Sequence, residues 1–471
     1  MRRAAELARF IGLAVAKMTK RLPVVCPRCR SPLDIASDKI ACNACDASYA
    51  SPFGVPVLVD GAIVERVGAP ADVFIADVAA ALGARDRVEE IRHCFSLRVQ
   101  MPDPALQVEA EQFAHRLSAS GHAISNLPHV RQIEDRFVNV PDGIRVRLSP
   151  LVFPDQFAIG ERTSLNLQIS NTGSSVLSSK SNPPLYVSYH WRRAQGFGRF
   201  WRHITGSRSS EGVRTTLLID IPPGRMITQP VMIETPASAG QYDLEISIVL
   251  ENVRWFREFA LTQQAKVVKS KKAEIYVQSL EGPALNYNEQ HRQGVELLRS
   301  WFERFIEEKN PLTLEIGGNY SPSTEELNKG NIINLDVDLH GLMARNIVKN
   351  DNIVSVVANG MDIPFQDRAI DAIVMFATFH HFPDPVLFLR RLGSKVKRGG
   401  LICLMCEPIG HVTAAHNYTA YVEELEKGVN EQSFEIWEYV AMIDAADLEI
   451  VDAVFDRGAA MIAARPKPGA G

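Results

Sequence analysis

The chain has 471 residues, 46% of them apolar and 23% charged, with a formal net charge of −4. That is the composition of an ordinary soluble protein with material for two to four domains, and its mild acidity excludes the basic footprint on which generic nucleic-acid binding depends. No uncharged apolar run reaches the roughly 18 residues of a membrane-spanning helix, so none is expected and a cytoplasmic location is.

Residues 1–22 carry Arg2, Arg3, Arg9, Lys17, Lys20 and Arg21 around Leu7, Phe10, Ile11, Leu13, Val15 and Met18. Two readings stay open. A basic amphipathic helix would rest on an anionic surface, which would bring the chain peripherally to the inner face of a membrane. The blander reading, a helix packed on its own protein or a frayed terminus, is favoured. Residues 23–60 follow, with Cys26-Pro27-Arg28-Cys29 and, twelve residues on, Cys42-Asn43-Ala44-Cys45. Cys26, Cys29, Cys42 and Cys45 at that spacing can converge tetrahedrally on a structural Zn2+ with no position left for water. The continuation Tyr49 to Val59 is similar to the zinc-ribbon activator subunits of tRNA and protein methyltransferases, and to ribbons fused to such enzymes.

Residues 61–140 read as a helical connector, with three- and four-residue apolar spacing in 78–82, 88–95 and 107–117. From 141 to 267 the pattern changes to short alternating strands at 144–148, 165–169, 185–189, 215–221, 231–233 and 242–248. Turn signals such as Pro222-Pro223-Gly224 and Ala239-Gly240 separate them. This predicts an immunoglobulin-like β-sandwich. The run Tyr189-His190-Trp191 … Gly240-Gln241-Tyr242 … Trp255-Phe256 resembles sandwich modules of bacterial polysaccharide-assembly proteins. Trp191, Trp201 and Trp255 are candidate glycan contacts, although half-buried core is the commoner fate of such aromatics. Arg192, Arg193, Arg199, Arg202 and Arg208 form an arginine-rich loop that is either solvated or phosphate-binding, and residues 266–272 read as a linker.

Residues 275–471 hold the chemistry. An apolar run, Leu312-Thr313-Leu314-Glu315-Ile316, stops at Gly317-Gly318-Asn319. A second ends at Asp336, a third leads into Asn359-Gly360-Met361-Asp362, and a fourth spans 369–376. Gly399-Gly400 then precedes a fifth at 401–406, and runs at 448–455 and 459–464 fit the last two strands. Such runs alternating with helical segments predict an α/β Rossmann-like parallel sheet, with ligands outside the carboxyl ends of its strands. Gly317 and Gly318 let the backbone approach a ligand, and an acid ending the second strand can accept from both ribose hydroxyls. Cys403 and Cys406, three apart, should point to opposite faces.

These segments resemble, in order, the class I S-adenosylmethionine-dependent methyltransferases of the type 11-like group. Glu315 and Gly317 match the acid-x-Gly-x-Gly-x-Gly motif. Asn359 to Phe365 with Ala369 to Val374 is similar to D-A-x-x-L-P-F … F-D-x-V, His380 to Pro385 to L-H-H-x-x-D-P, and Lys397 to Leu401 to K-P-G-G-x. The resemblance implies S-adenosyl-L-methionine as cofactor. Glu315, Gly317 and Gly318 would line its methionine and ribose end, Asp336 would hold the ribose, and Asn359, Gly360 and Met361 the adenine. The chain departs from the family at Asn319 and Ser321, where the second and third glycines fall, and at Asn359 in place of Asp. His381 is the candidate base for a hydroxyl acceptor, with Glu407 and His411 as alternatives. The expected activity is O-methylation of a small-molecule or glycan acceptor (a sugar nucleotide or polysaccharide precursor), in company with glycan-assembly proteins. The alternatives are a non-catalytic binding module with a degenerate cofactor site and an RNA or protein methyltransferase.

Overall fold

The computed structural model describes residues 22–36, 39–68, 70–103, 106–107, 143–194, 210–269, 287–348 and 353–469. Segment 1–21, most of the connector beyond Leu106, Trp201, Arg199, Arg202, Arg208 and the end of the linker lie outside the described residues.

The C-terminal unit is a seven-stranded sheet. Its strands are β1 (Leu312–Ile316), β2 (Asn331–Asp336), β3 (Ile353–Val357), β4 (Ile370–Phe376), β5 (Val396–Pro408), β6 (Leu448–Asp456) and β7 (Ala459–Pro466), in the order β3-β2-β1-β4-β5-β7-β6. The first five are parallel, and β7 runs antiparallel to β5 and β6. All seven residues of β4 are buried, as a central strand covered on both faces requires. Helix α1 (Tyr287–Phe305) covers one face, placing Val295, Leu298, Trp301 and Phe302 against Ala372, Val374, Leu401 and Cys403. Helices α3 (Pro385–Lys395) and α5 (Ile436–Ala445) cover the other through Phe388, Leu392, Tyr439 and Met442. Between β2 and β3 lies α2 (Leu339–Val348), and after β5 comes α4 (Gly410–Lys427), a helix the sequence reading did not anticipate. Strand order reverses between β1 and β4, which opens a crevice at their carboxyl ends.

Cys403 and Cys406 do not fall on opposite faces: both belong to the cluster beneath α1. Cys406 takes a left-handed φ of 56°, and the β5–β7 register shifts between Leu404 and Glu407. A bulge of this kind re-aims the residue that follows it. Here that residue is Glu407, which is fully buried.

The cysteine-bearing segment forms three short antiparallel strands, Asp34–Ala36, Lys39–Ala41 and Ser48–Ala50. It is joined to the open edge of the large sheet. Leu58 N donates to Val357 O at 2.7 Å, Val357 N to Pro56 O at 2.8 Å, and Val25 N to Pro364 O at 2.9 Å. The β3 edge, which would otherwise offer unpaired backbone groups, is thereby partly covered.

The connector is not wholly helical. Helices Asp72–Ala81 and Val88–Phe95 are flanked by a strand pair, Ile63–Arg66 with Leu97–Gln100, whose four-residue lengths left little periodic signal. Ile75, Val78, Ile91 and Cys94 pack on Leu342, Met343 and Ile347 of α2.

Residues 146–268 form two sheets that share one core. One has Met226–Glu234, Arg162–Asn171 and Val146–Pro150. The other is centred on Leu185–Arg193, Gly240–Leu250 and Leu261–Val268, the last of which pairs in parallel with Gln156–Ala158. Trp191, a candidate glycan contact, is core instead. It is 2% exposed, stands edge-on to Phe157 and Tyr242, and donates Nε1–H to Glu234 O at 2.9 Å. Trp255 is half-buried, with its ring against His190 and the Arg214 guanidinium above it. Arg192 is paired with Glu245 at 2.8 Å.

Candidate active site

The turn after β1 is built around two buried acids. Glu315, 1% exposed, directs its carboxylate away from the crevice and beneath the short helix Ser323–Leu327. There it accepts Ser323 N–H (2.8 Å), Thr324 N–H (2.7 Å) and Thr324 Oγ1–H (2.6 Å). Burial raises its pKa, and the three donors oppose that shift. Glu315 was expected to line the methionine and ribose end; its side chain instead holds the turn that lines it. Gly317 has a φ of 81°, and a Cβ there would stand 2.4 Å from Thr378 Oγ1, so only glycine lets β1 and the end of β4 approach this closely.

Asp336 closes β2. Its Oδ2 accepts Asn319 N–H at 3.0 Å and its Oδ1 accepts Asp338 N–H at 2.9 Å. An ionised carboxylate has about four acceptor sites, so capacity remains for a ribose hydroxyl. Burial, then the neighbouring Asp338, raises the Asp336 pKa to about 7. Asn319 stands where the second motif glycine was expected. It adopts a left-handed φ of 43°, which asparagine tolerates better than most residues. Its Nδ2 donates to Asp338 Oδ2 at 3.1 Å, and its carbonyl accepts Asn334 Nδ2–H at 2.6 Å. The lost glycine therefore leaves the turn intact.

Asn359 caps the short helix Gly360–Asp362, with Oδ1 accepting Met361 N–H at 2.9 Å. A Cβ on Gly360 would meet the Phe382 ring at 2.7 Å. Ile316, Gly317, Asp336, Asn359, Gly360, Met361, Thr378, His381 and Phe382 line one cavity of about 640 Å³, the size of an ordinary small-molecule site. Of the residues singled out from the sequence, Gly317, Asp336, Asn359, Gly360, Met361 and His381 meet there, and Glu315 and Gly318 do not line it.

Nothing in the sequence marked the far wall of this cavity as part of a site. Pro223, Gly224, Arg225 and Met226 of the sandwich line it, together with Leu425 at the end of α4 and Gly428, Val429 and Asn430 beyond. Arg225 donates to Leu425 O and has no ion-pair partner among the described residues. Burial alone lowers its pKa.

Beyond β4, Glu407 organises the turn. Its Oε1 accepts Thr378 N–H and Phe379 N–H, both at 2.9 Å, and its Oε2 accepts His380 N–H at 3.1 Å and faces His380 Nδ1 at 2.8 Å. Glu407, considered above as an alternative base, is enclosed in this network. His411 lies among residues whose side chains are not described. Asp371 is structural, accepting Leu312 N–H at 2.9 Å and pairing with Lys397 at 2.8 Å.

In the cysteine-bearing segment, Cys26 and Cys45 Sγ are 3.7 Å apart and Cys29 and Cys42 Sγ 3.5 Å, and all four atoms fall within 4.8 Å of one another. Thiolates about 2.3 Å from a tetrahedral zinc are about 3.8 Å from each other, whereas a disulfide needs about 2.05 Å. The donor set fits a structural zinc.

A seven-stranded sheet of this order, with a glycine turn after β1 and an acid closing β2, defines the class I S-adenosylmethionine-dependent methyltransferase fold. The C-terminal part of the chain carries such a domain: residues 314–404 match the profile of the family described as methyltransferase domain. No curated protein matched. Similar solved structures include a complex between the Haloferax volcanii Trm112 methyltransferase activator and a methyltransferase, at 16% identity over 35% of this chain and 74% of that one, TM-score 0.31. Others are the YcgJ protein of a Bacillus (16%, 35% and 72%, TM-score 0.30) and magnesium protoporphyrin IX methyltransferase ChlM of Synechocystis PCC 6803 with bound SAH (10%, 40% and 90%, TM-score 0.32).

Proposed function

We propose that the chain methylates a hydroxyl of an anionic, sugar-type acceptor such as a sugar nucleotide or an acidic glycan precursor, with S-adenosylmethionine as donor. The observation that carries this reading is the composite cavity, in which the cofactor-side strand ends face the sandwich residues Pro223 to Met226. Asp336 would hold the ribose of the cofactor, and Asn359, Gly360 and Met361 its adenine. The bound cofactor supplies an electrophilic methyl on a sulfonium. The chain's own task is to align the acceptor oxygen with it and exclude water.

Arg225 supports an anionic acceptor. A half-buried guanidinium without a carboxylate partner among the described residues suits a phosphate or carboxylate. The aromatic argument for sugar weakens with Trp191 in the core, so the charge of Arg225 supports the acceptor class in its place. His381, the candidate base, lies in the cavity wall.

The test is transfer of labelled methyl from S-adenosylmethionine to a panel of sugar nucleotides, lipid-linked glycans, tRNA and peptides. Arg225→Gln should raise the acceptor KM about tenfold or more and leave S-adenosylhomocysteine affinity unchanged. Transfer to tRNA or peptide alone, or an equal loss of cofactor affinity in Arg225→Gln, would overturn the reading.

A further inference from the structure

We propose that His380, His381 and Glu431 bind a divalent transition-metal ion at the wall of the cavity. His380 Nε2 lies 3.5 Å from Glu431 Oε1, His381 Nδ1 lies 3.4 Å from Glu431 Oε2, and one ligand atom from each residue falls within 4.8 Å of the others. Charge-assisted hydrogen bonds from nitrogen to carboxylate close to about 2.7–2.9 Å. Ligands about 2.1 Å from a common tetrahedral ion are about 3.4 Å apart. The two histidine–carboxylate spacings match that geometry, and the third lies within 4.8 Å.

The surroundings are built to hold it. Glu407 is acceptor-only and already takes three backbone N–H groups, so the proton on His380 belongs at Nδ1, 2.8 Å from Glu407 Oε2. That tautomer turns the Nε2 lone pair toward Glu431, the carboxylate–histidine arrangement that orients metal ligands. The third ligand is anchored to the first two through the backbone. Asn430 Nδ2 donates to His381 O at 2.8 Å, and Gln432 Nε2 donates to His380 O at 2.9 Å and Phe382 O at 2.8 Å.

Two imidazoles and a carboxylate suit borderline ions such as Zn2+, Co2+, Fe2+, Ni2+ or Mn2+. Three protein ligands leave a position open, and His381 lines the cavity into which it would face. What the ion does there rests on the function proposed above. An ion held by these three residues would make a nearby acceptor hydroxyl easier to deprotonate, the proton passing to water. The acceptor oxygen would form its O–CH3 bond as the S–CH3 bond of the sulfonium breaks, leaving a neutral thioether. His381 would then serve as ligand in place of base.

The test uses the full chain with one equivalent of Zn2+ in the four-cysteine site, titrated with Co2+ under its visible spectrum. Zinc keeps the thiolate site, and thiolate-to-cobalt charge transfer would reveal any exchange. We expect one further Co2+ per chain with only weak ligand-field bands. Its affinity should fall about tenfold or more in His380→Ala and in Glu431→Gln, with zinc content and S-adenosylhomocysteine binding retained as evidence of folding. No second Co2+ in the wild type, or an undiminished one in Glu431→Gln, overturns the proposal. Absent S-adenosylhomocysteine binding would instead overturn the methyltransferase reading and leave the metal result standing.

Discussion

Asn166 and Glu438, 272 residues apart, share one buried carboxylate. Asn166 N donates to Glu438 Oε1 at 2.8 Å, and its side-chain Nδ2 donates to Oε2 at 2.7 Å and to Ser433 O at 2.8 Å. Glu435 N also donates to Oε2, at 2.9 Å. This fixes the sandwich against α5, with Gln168 Nε2 on Pro383 O (2.6 Å) and Tyr421 Oη on Thr228 O (3.3 Å) on either side. The consequence is functional, because the same docking carries Arg225 to the cavity wall.

Asn166→Ala should therefore cost about 2 kcal/mol or more, since it strands part of a buried acceptor. Asn166→Asp should cost more, because it sets a second carboxylate against Glu438. Calorimetric unfolding would check this: the sandwich should melt apart from the C-terminal domain in Asn166→Asp, with one joint transition in the wild type.

Cofactor affinity should depend on pH through Asp336. Its folded pKa is raised from 3.8 to about 7, so the free fold prefers the protonated acid. The group's contribution to stability is present at low pH and is lost as pH rises through about 7. Binding runs the other way, because ribose hydroxyls donate best to the ionised form. S-adenosylhomocysteine affinity should rise by up to about tenfold per pH unit below that pKa and flatten above it. Asp336→Asn should abolish the slope, which calorimetry at several pH values would measure.

Removing zinc should disturb more than the cysteine-bearing segment. Folding of small zinc sites draws on about 10–16 kcal/mol of apparent metal-binding energy, and this one covers the β3 edge through Pro56, Leu58 and Val357. Chelation, or Cys29→Ser, should lower the melting temperature of the whole C-terminal domain and promote aggregation through the bared edge. An unchanged melting temperature and light-scattering signal on chelation would contradict this.

Gly317→Ala should weaken S-adenosylhomocysteine binding about tenfold or more. The left-handed φ costs about 1–2 kcal/mol for a residue with a Cβ, and the new methyl would stand 2.4 Å from Thr378 Oγ1. Adding Thr378→Ala should recover the steric part and leave the backbone part, an asymmetry that a double-mutant cycle would read.

What the sequence made legible was local. The strands of the C-terminal sheet are continuous apolar runs, and six of the proposed site residues sit at their ends or in the turns that follow, where pattern and place coincide. The four cysteines have a spacing that suits a shared zinc ion. Glu315 was legible as a position and not as a direction, because a strand-end acid can point into the crevice or under the turn. Trp191 was left open between core and glycan contact, with core favoured, because alternation along a sandwich strand does not reveal which sheet face is inside. Arg225, Asn430, Glu431 and Gln432 carried no motif. They reach the site only because the sandwich and the segment after α4 fold back over it, across about 200 residues of sequence between Arg225 and Leu425.

The central claim is that the crevice at β1 and β2 is a working S-adenosylmethionine site. Calorimetric titration of the full chain with S-adenosylmethionine and S-adenosylhomocysteine, beside Asp336→Ala, tests it most directly. The account predicts micromolar binding of both ligands by the wild type and none that is measurable by the variant. No heat with either ligand, or equal heat from Asp336→Ala, would contradict it.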